Sequence, residues 1–265
     1  METIEIAEEF NEADRFKPYY INLSEMIYGE NFQSPGGNEF LNWVMHFAKV
    51  GADCSEALDV GFGCGGNSIF LHKKFNCPVT AIDMNDTFLW IASERVKEAG
   101  INAITLINSS VLDFRESDRF DIILCRDVLM YVKDKERALR NIMDSMKIGG
   151  RLILVDYCKR DGDISPEFAE HIGKGGFSLA TLDDYRRLME NLGFDNIMIA
   201  DITSRHIHYL SEALLRIKDN DNITDTFRSK DIDYIKKRTV NKIGYCSEGS
   251  MVWGLIVADL KKKEE

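Results

Sequence analysis

Two carboxylates and a run of glycines mark where this chain can do chemistry. Leu58-Asp59-Val60-Gly61-Phe62-Gly63-Cys64-Gly65-Gly66 reads as a buried strand passing into a glycine turn and then a helix from Asn67 to Phe75. Such a turn lets backbone N–H groups and a helix N-terminus face a ligand at the carboxyl edge of a parallel sheet, and Gly61 and Gly63 permit its close approach. A second apolar run, Val79-Thr80-Ala81-Ile82, ends in Asp83. That acid, about twenty residues beyond the turn, is placed to accept hydrogen bonds from a ribose diol. A third run, Phe120 to Leu124, leads into Cys125-Arg126-Asp127, where the Asp127 carboxylate can hold an ammonium group. Tyr19, Tyr20, Tyr131, His171, His206 and His208 are candidates to relay a proton from it.

The elements that must position these groups follow from the apolar spacing. Asp86 to Ala99 is an amphipathic helix stopped by Gly100, and the strand Ile104 to Ile107 completes a βαβαβ pattern with Asn108 to Leu112 at its tip. Phe120 to Leu124 is nearly all apolar, as a strand buried on both faces is. The helix Arg137 to Met146, closed by Ile148-Gly149-Gly150, precedes a fifth strand, Arg151 to Val155, with Asp156-Tyr157 at its tip. The helix Thr181 to Asn191, a strand around Asn196 to Ala200 and the alternating strand Met251 to Leu260 finish the pattern. The expectation is an α/β fold with five parallel strands followed by two at one edge, one of them antiparallel, and helices on both faces.

Ahead of this core the helical spacing from Tyr19 to Tyr28 breaks at a polar, glycine-rich loop, and a helix from Asn38 to Val50 follows. The loop from Tyr28 to Gly37 suits a lid over a bound ligand. Met1 to Asp14 is expected to be a short helix or an arm, and Lys261 to Glu265 a charged tail. Cys158 to Leu179, with a glycine-rich turn at Gly173, Gly175 and Gly176, and the mostly helical Arg205 to Gly249 are expected to wall the substrate side. The chain is then one domain over 1–265: N-terminal helices and lid (1–50), core (51–204), helical insertion (205–249), and final strand with tail (250–265).

With 265 residues, 45% of them hydrophobic, the chain can bury a full core. Its net charge of −11 counts against a nucleic-acid or anionic-membrane partner, since each selects a basic footprint. Cys54, Cys64, Cys77, Cys125, Cys158 and Cys246 form no CxxC pair, so neither a metal nor a dithiol site is indicated. With no signal peptide and no apolar run near twenty residues, a cytoplasmic location with reduced thiols is expected.

The form G-x-G-x-G-G after Asp59 resembles that of S-adenosylmethionine-dependent methyltransferases of the Rossmann-like class I fold. Tyr28-Gly29-Glu30-Asn31-Phe32-Gln33-Ser34-Pro35-Gly36-Gly37, together with Leu58 to Gly66, Cys125-Arg126-Asp127 and Asp156-Tyr157-Cys158, is similar to the phosphoethanolamine N-methyltransferases. The resemblance implies S-adenosylmethionine as cofactor, with contacts from Tyr28, Gln33 and Ser34 in the lid, Gly61 and Gly63 in the turn, Asp83 and Met84, Ser110 and Val111, and Arg126. Where the family commonly has an acid against the adenine amino group, Ser110 stands here. The family's tyrosine–histidine pair falls on Phe16 and Tyr131, so Tyr19 and Tyr20, on the same helical face as Phe16, are the hydroxyls available toward Tyr131.

Of the family's phosphate grip, Tyr157 and Lys242 match. Gly175 and Phe177 replace an arginine and a tyrosine, and His171 replaces a further tyrosine, so phosphoethanolamine is expected to be a poor acceptor. Taken together, Tyr157, His171, Phe177, His206 and Lys242 are expected at the substrate and Tyr19, Tyr20, Asp127 and Tyr131 at the reaction centre. The implied activity is methyl transfer to a small polar metabolite, an amine, by a monomer or homodimer. O- or S-methylation of another metabolite, or cofactor binding without turnover, are the alternatives.

Overall fold

The computed structural model describes residues 16–51 and 53–260, so the expected arm over Met1 to Asp14 and tail over Lys261 to Glu265 lie outside the described residues. Seven strands, β1 (Ala57–Val60), β2 (Val79–Asp83), β3 (Ile104–Asn108), β4 (Phe120–Arg126), β5 (Met146–Lys159), β6 (Phe194–Asp201) and β7 (Met251–Leu260), form one sheet. Their order is β3-β2-β1-β4-β5-β7-β6. The first five pair in parallel, and β7 runs antiparallel to both β5 and β6. The strand order reverses between β1 and β4, so their carboxyl ends flank the crevice where an open α/β sheet receives ligands. Gly61 follows β1 and Asp127 follows β4, which sets both at that crevice.

Helices α2 (Gly37–Phe47) and α3 (Gly66–Phe75) cover one face with α8 (Thr203–Asp219). There Phe40, Leu41, Val44, Leu71, Tyr209 and Trp253 are buried together. On the other face α5 (Lys135–Ser145) and α7 (Leu182–Leu192) bury Leu139, Ile142, Tyr185 and Met189 against Leu58, Ile123 and Leu154. The apolar character of β4 on both sides is what this double cover selects. α4 (Asp86–Glu98) is capped by Asn85, whose Oδ1 accepts from Thr87 and Phe88 N.

The insertion after β6 has a small core of its own. Leu23 and Ile27 of α1 (Pro18–Tyr28) pack with Ala213 and Ile217 of α8, Ile223 of α9 (Asp221–Thr226) and Ile232 and Ile235 of α10 (Ser229–Ser247). The segment before the glycine turn and the segment before β7 thus form one structural cap.

Three boundaries differ from the sequence reading. β5 starts at Met146 instead of Arg151, where Met146 pairs with Phe120 of β4 ahead of a register shift, and it runs through Tyr157 to Lys159 because β7 pairs with it from Arg151↔Asp259 to Lys159↔Met251. α2 ends at Phe47. The glycines of the expected turn close a helix, α6 (Pro166–Gly175): the Ser165 hydroxyl accepts from Phe168 N at its start, and Gly176 adopts φ +65° at its end. Among the described residues no helix is long and apolar enough to cross a membrane.

Candidate functional site

The glycine turn is built on backbone conformations that side chains resist. Gly61, Gly63 and Gly65 have φ of +79°, +50° and +91°. A Cβ on Gly61 would stand 2.1 Å from Val128 Cγ2, so the turn after β1 fits directly under the loop after β4. Among the described residues a Cβ on Gly63 would meet nothing within 4 Å, so the turn opens on that side onto space a ligand can fill. Asp83 borders the same space. Its carboxylate accepts from Gly63 N (3.1 Å) and Asn85 N (3.0 Å), and burial pushes its pKa up. Two backbone donors therefore fix the acid at the tip of β2 and leave lone pairs for a diol.

Asp59 is spent inside the fold. It is fully buried, accepts from Ser68 Oγ (2.5 Å), and burial lifts its pKa to about 7. It ties α3 to β1.

The loop from Tyr28 to Gly37 lies closed over the start of α3. Gly66 N donates to Asn31 O (3.2 Å), Asn31 N donates to Glu25 Oε1 (2.9 Å), and Gln33 Nε2 donates to Ile21 O (3.2 Å). Arg126 fastens the loop from below: its Nη2 donates to Pro35 O (2.7 Å), and its guanidinium lies 4.7 Å from the Phe40 ring centre and 5.9 Å from that of Phe32. Arg126 Nε and Nη1 are buried and make no hydrogen bond among the described residues. A buried guanidinium with two unused nitrogens suits an anionic group such as a carboxylate.

Asp127 is the most constrained side chain of the site. Its φ is +56°, a conformation that costs a non-glycine residue free energy and persists where the surroundings enforce it. Trp253 Nε1 of β7 donates to its Oδ1 (2.9 Å). Its Oδ2 lies 3.8 Å from Arg126 Nε and accepts no hydrogen bond from the described residues, although the side chain is almost fully buried.

Around this carboxylate stands a box of rings and cations. The His206 ring is 4.7 Å from Trp253 and 5.1 Å from Tyr157, and neither of its nitrogens has a hydrogen-bond partner among the described residues. Burial, with the charges of Lys242 and Arg126, pushes the His206 pKa well below its ordinary value, so the imidazole is neutral. Lys242 Nζ donates to Tyr157 Oη (3.3 Å) and sits 4.8 Å over its ring. Outside the box, Tyr131, Phe177 and His171 form a wall, with ring centres 5.5 Å and 5.4 Å apart in sequence.

Several residues expected at the site are engaged elsewhere. Tyr19 and Tyr20 hydroxyls donate to Asp231 Oδ2 and Oδ1 (3.1 and 3.2 Å), and Arg228 donates to the same carboxylate. These two tyrosines thus pin α1 to the start of α10. Ser110 Oγ accepts from Leu112 N (3.2 Å) within its own turn, beside the buried Val111. Met84 is 72% exposed at the crevice rim, and Ser34 and Tyr28 are half-buried in the closed loop. His208 is largely exposed, 3.6 Å from Glu212.

Sequence reasoning missed Trp253 in the box and a charge that acts on it from α10. Trp253 sits in an alternating strand that looked purely structural. Arg238, one turn before Lys242 on α10, acts on Tyr157 through its charge. The i, i+4 spacing of Arg238 and Lys242 was the signal for it.

Comparison with known proteins fits this geometry. A family described as a methyltransferase domain matches residues 53–209. Phosphoethanolamine N-methyltransferase 1 of Zea mays is 28% identical over 249 residues, covering 92% of this chain and 49% of that protein. Sarcosine/dimethylglycine N-methyltransferase of Halorhodospira halochloris is 28% identical over 177 residues, 64% of this chain and 60% of that one. The chain spans about half the length of several of the curated relatives it matches. Among solved structures, phosphoethanolamine N-methyltransferase 2 of Haemonchus contortus, in complex with phosphomonomethylethanolamine and S-adenosylhomocysteine, superposes with a TM-score of 0.90 at 23% identity, over 95% of this chain and 59% of that one.

Proposed function

Since the chain belongs to the methyltransferase-domain family, we propose that it transfers the methyl group of S-adenosylmethionine to a small amine that also carries an anionic group. The observation that carries this reading is the buried Asp127 Oδ2, which accepts no hydrogen bond from the described residues and meets Arg126 Nε only at 3.8 Å, enclosed by rings at the carboxyl end of β4. A buried carboxylate oxygen without a partner is costly unless a cationic ligand completes it.

The cofactor fits the crevice on three counts: the open space over Gly63, the fixed acid at Asp83, and the unused nitrogens of Arg126. When bound, the cofactor supplies an electrophilic methyl group on a sulfonium, which needs no further activation. The protein's work is positioning and exclusion of water. Asp127 Oδ2 orients the acceptor nitrogen. The loop from Tyr28 to Gly37 seals the crevice through Arg126 and Gly66. His206, neutral and within the box, offers a ring nitrogen as hydrogen-bond acceptor to the amine and does not carry its proton.

Arg238 alters the substrate class. Gly175 and Phe177 leave the expected phosphate grip short of a cation, and Arg238 beside Lys242 restores a second positive charge near Tyr157. An amine with a carboxylate or a phosphate at its far end matches that pairing. Beside the expectation that phosphoethanolamine is poorly used, this charge favours assaying carboxylated and phosphorylated amines side by side.

The test is methyl transfer from radiolabelled S-adenosylmethionine to phosphoethanolamine, ethanolamine, glycine and sarcosine. Turnover of any anionic amine above ethanolamine, lost in Asp127→Asn with cofactor affinity retained, is the expected result. Equal turnover in Asp127→Asn would overturn the role given to that carboxylate.

A further inference from the structure

Cys54 and Cys77 are separated by 23 positions in sequence, yet their sulfurs lie 2.8 Å apart. Neither belongs to a CxxC motif, and the sequence reading found no dithiol site. The fold makes one. Cys54 lies in the connector before β1 and Cys77 in the connector before β2; β1 and β2 pair from Ala57↔Val79 onward, and Ala57 N donates to Pro78 O (3.0 Å). The two connectors are thereby held side by side at the amino ends of the strands, opposite the crevice.

We propose that Cys54 and Cys77 form a reversible disulfide in response to small-molecule disulfides such as oxidised glutathione. The inference is independent of the proposed function. The sulfurs need to close by less than about 1 Å to reach the ~2.05 Å of a disulfide, so the bond requires little backbone movement. Cys54 is half-buried and Cys77 almost fully buried, which sets the order of events. The Cys54 thiolate attacks one sulfur of the oxidant and releases one glutathione thiolate. The Cys77 thiolate then attacks Cys54 Sγ and displaces the second glutathione. Two protein thiols lose their protons and two electrons, and one glutathione disulfide becomes two glutathione thiols.

Burial raises the pKa of both protein thiols, so the exchange is slow at neutral pH and accelerates in mild alkali. The bond encloses β1, the glycine turn and α3 in a covalent loop. It therefore constrains the unfolded chain across the segment that forms the cofactor crevice.

The experiment incubates the folded protein at mildly alkaline pH with oxidised glutathione, quenches with acid and N-ethylmaleimide, and maps peptides by mass. The expected product has lost two hydrogens, joins the Cys54 and Cys77 peptides, reverts with dithiothreitol, and is absent in Cys54→Ser. Its melting temperature rises by roughly 5–10 °C over the reduced protein. A protein that stays reduced, stops at a glutathione adduct on Cys54, or links other cysteines would overturn the proposal. The wild-type peptide map decides this even where a variant fails to fold.

Discussion

The two halves of the crevice are made differently. The cofactor side, from Gly61 to Asp83 with its lid, consists mainly of backbone conformation: left-handed glycines, a helix start, and a carboxylate held by two backbone N–H groups. The acceptor side is made of side chains that converge from β4, β5, α8, α10 and β7 on Asp127. A backbone-built site tolerates changes in neighbouring side chains and fails when its turn is altered. A convergent site fails one contact at a time.

The sharpest way to break that contrast is Gly61→Ala. The added carbon collides with Val128 and sits at φ +79°, so strain and overpacking together should cost roughly 3–5 kcal/mol. The variant should lose cofactor binding by calorimetry, and Val128→Ala in the same chain should restore the part due to the collision. Full rescue would show that the left-handed conformation contributes nothing.

Next in size is Asp83→Ala, which removes a charged acceptor from the cofactor side and should weaken cofactor affinity by roughly 1.5–3 kcal/mol without altering the acceptor KM. An equal loss on both sides would mean that the halves are coupled.

Asp156, beneath the acceptor side, offers a pH test. It is fully buried, accepts from Met130 N and Tyr185 Oη, and burial lifts its pKa to about 7 from 3.8. A carboxyl whose folded pKa is raised contributes stability below its unfolded pKa and loses it as pH rises through the folded value. Between about pH 4 and 7, unfolding free energy of the wild type should therefore fall relative to Asp156→Asn, by roughly 2–3 kcal/mol. Denaturant melts at three pH values across that range check it, and parallel pH profiles for the two proteins would refute it.

The smallest effect is expected from Tyr20→Phe. Its hydroxyl is bound to Asp231, so its loss should reduce stability by roughly 0.5–1.5 kcal/mol and leave kcat unchanged. A large fall in kcat would return Tyr20 to the reaction centre.

The contrast also explains what could be read in advance. The glycine turn, Asp83 and the parallel strands were legible because each is local: a few adjacent residues carry both the conformation and the groups proposed to meet the cofactor. Asp127 was legible by its place at a strand tip, but its partner Trp253 was not, since 126 positions separate them and only the insertion of β7 beside β5 brings them together. Tyr19 and Tyr20 misled for the complementary reason. Their helical face was correct, but the carboxylate they meet belongs to α10, whose packing against α1 no periodicity announces. The β5 boundary failed likewise, because the strand is lengthened by its neighbour and Gly149 and Gly150 mask its start.

The interposed strand has a kinetic consequence. β7 separates β5 from β6 in space although β6 precedes it in the chain, and its pairing with β5 joins residues as far apart as Arg151 and Asp259. Loop closure over such distances is entropically slow, so β6 stays an unpaired edge until the helical insertion has formed and β7 arrives. Trp253 travels on that strand. Folding intermediates would thus already possess the glycine crevice while lacking the group that holds Asp127, and competence to bind cofactor would precede competence to use it.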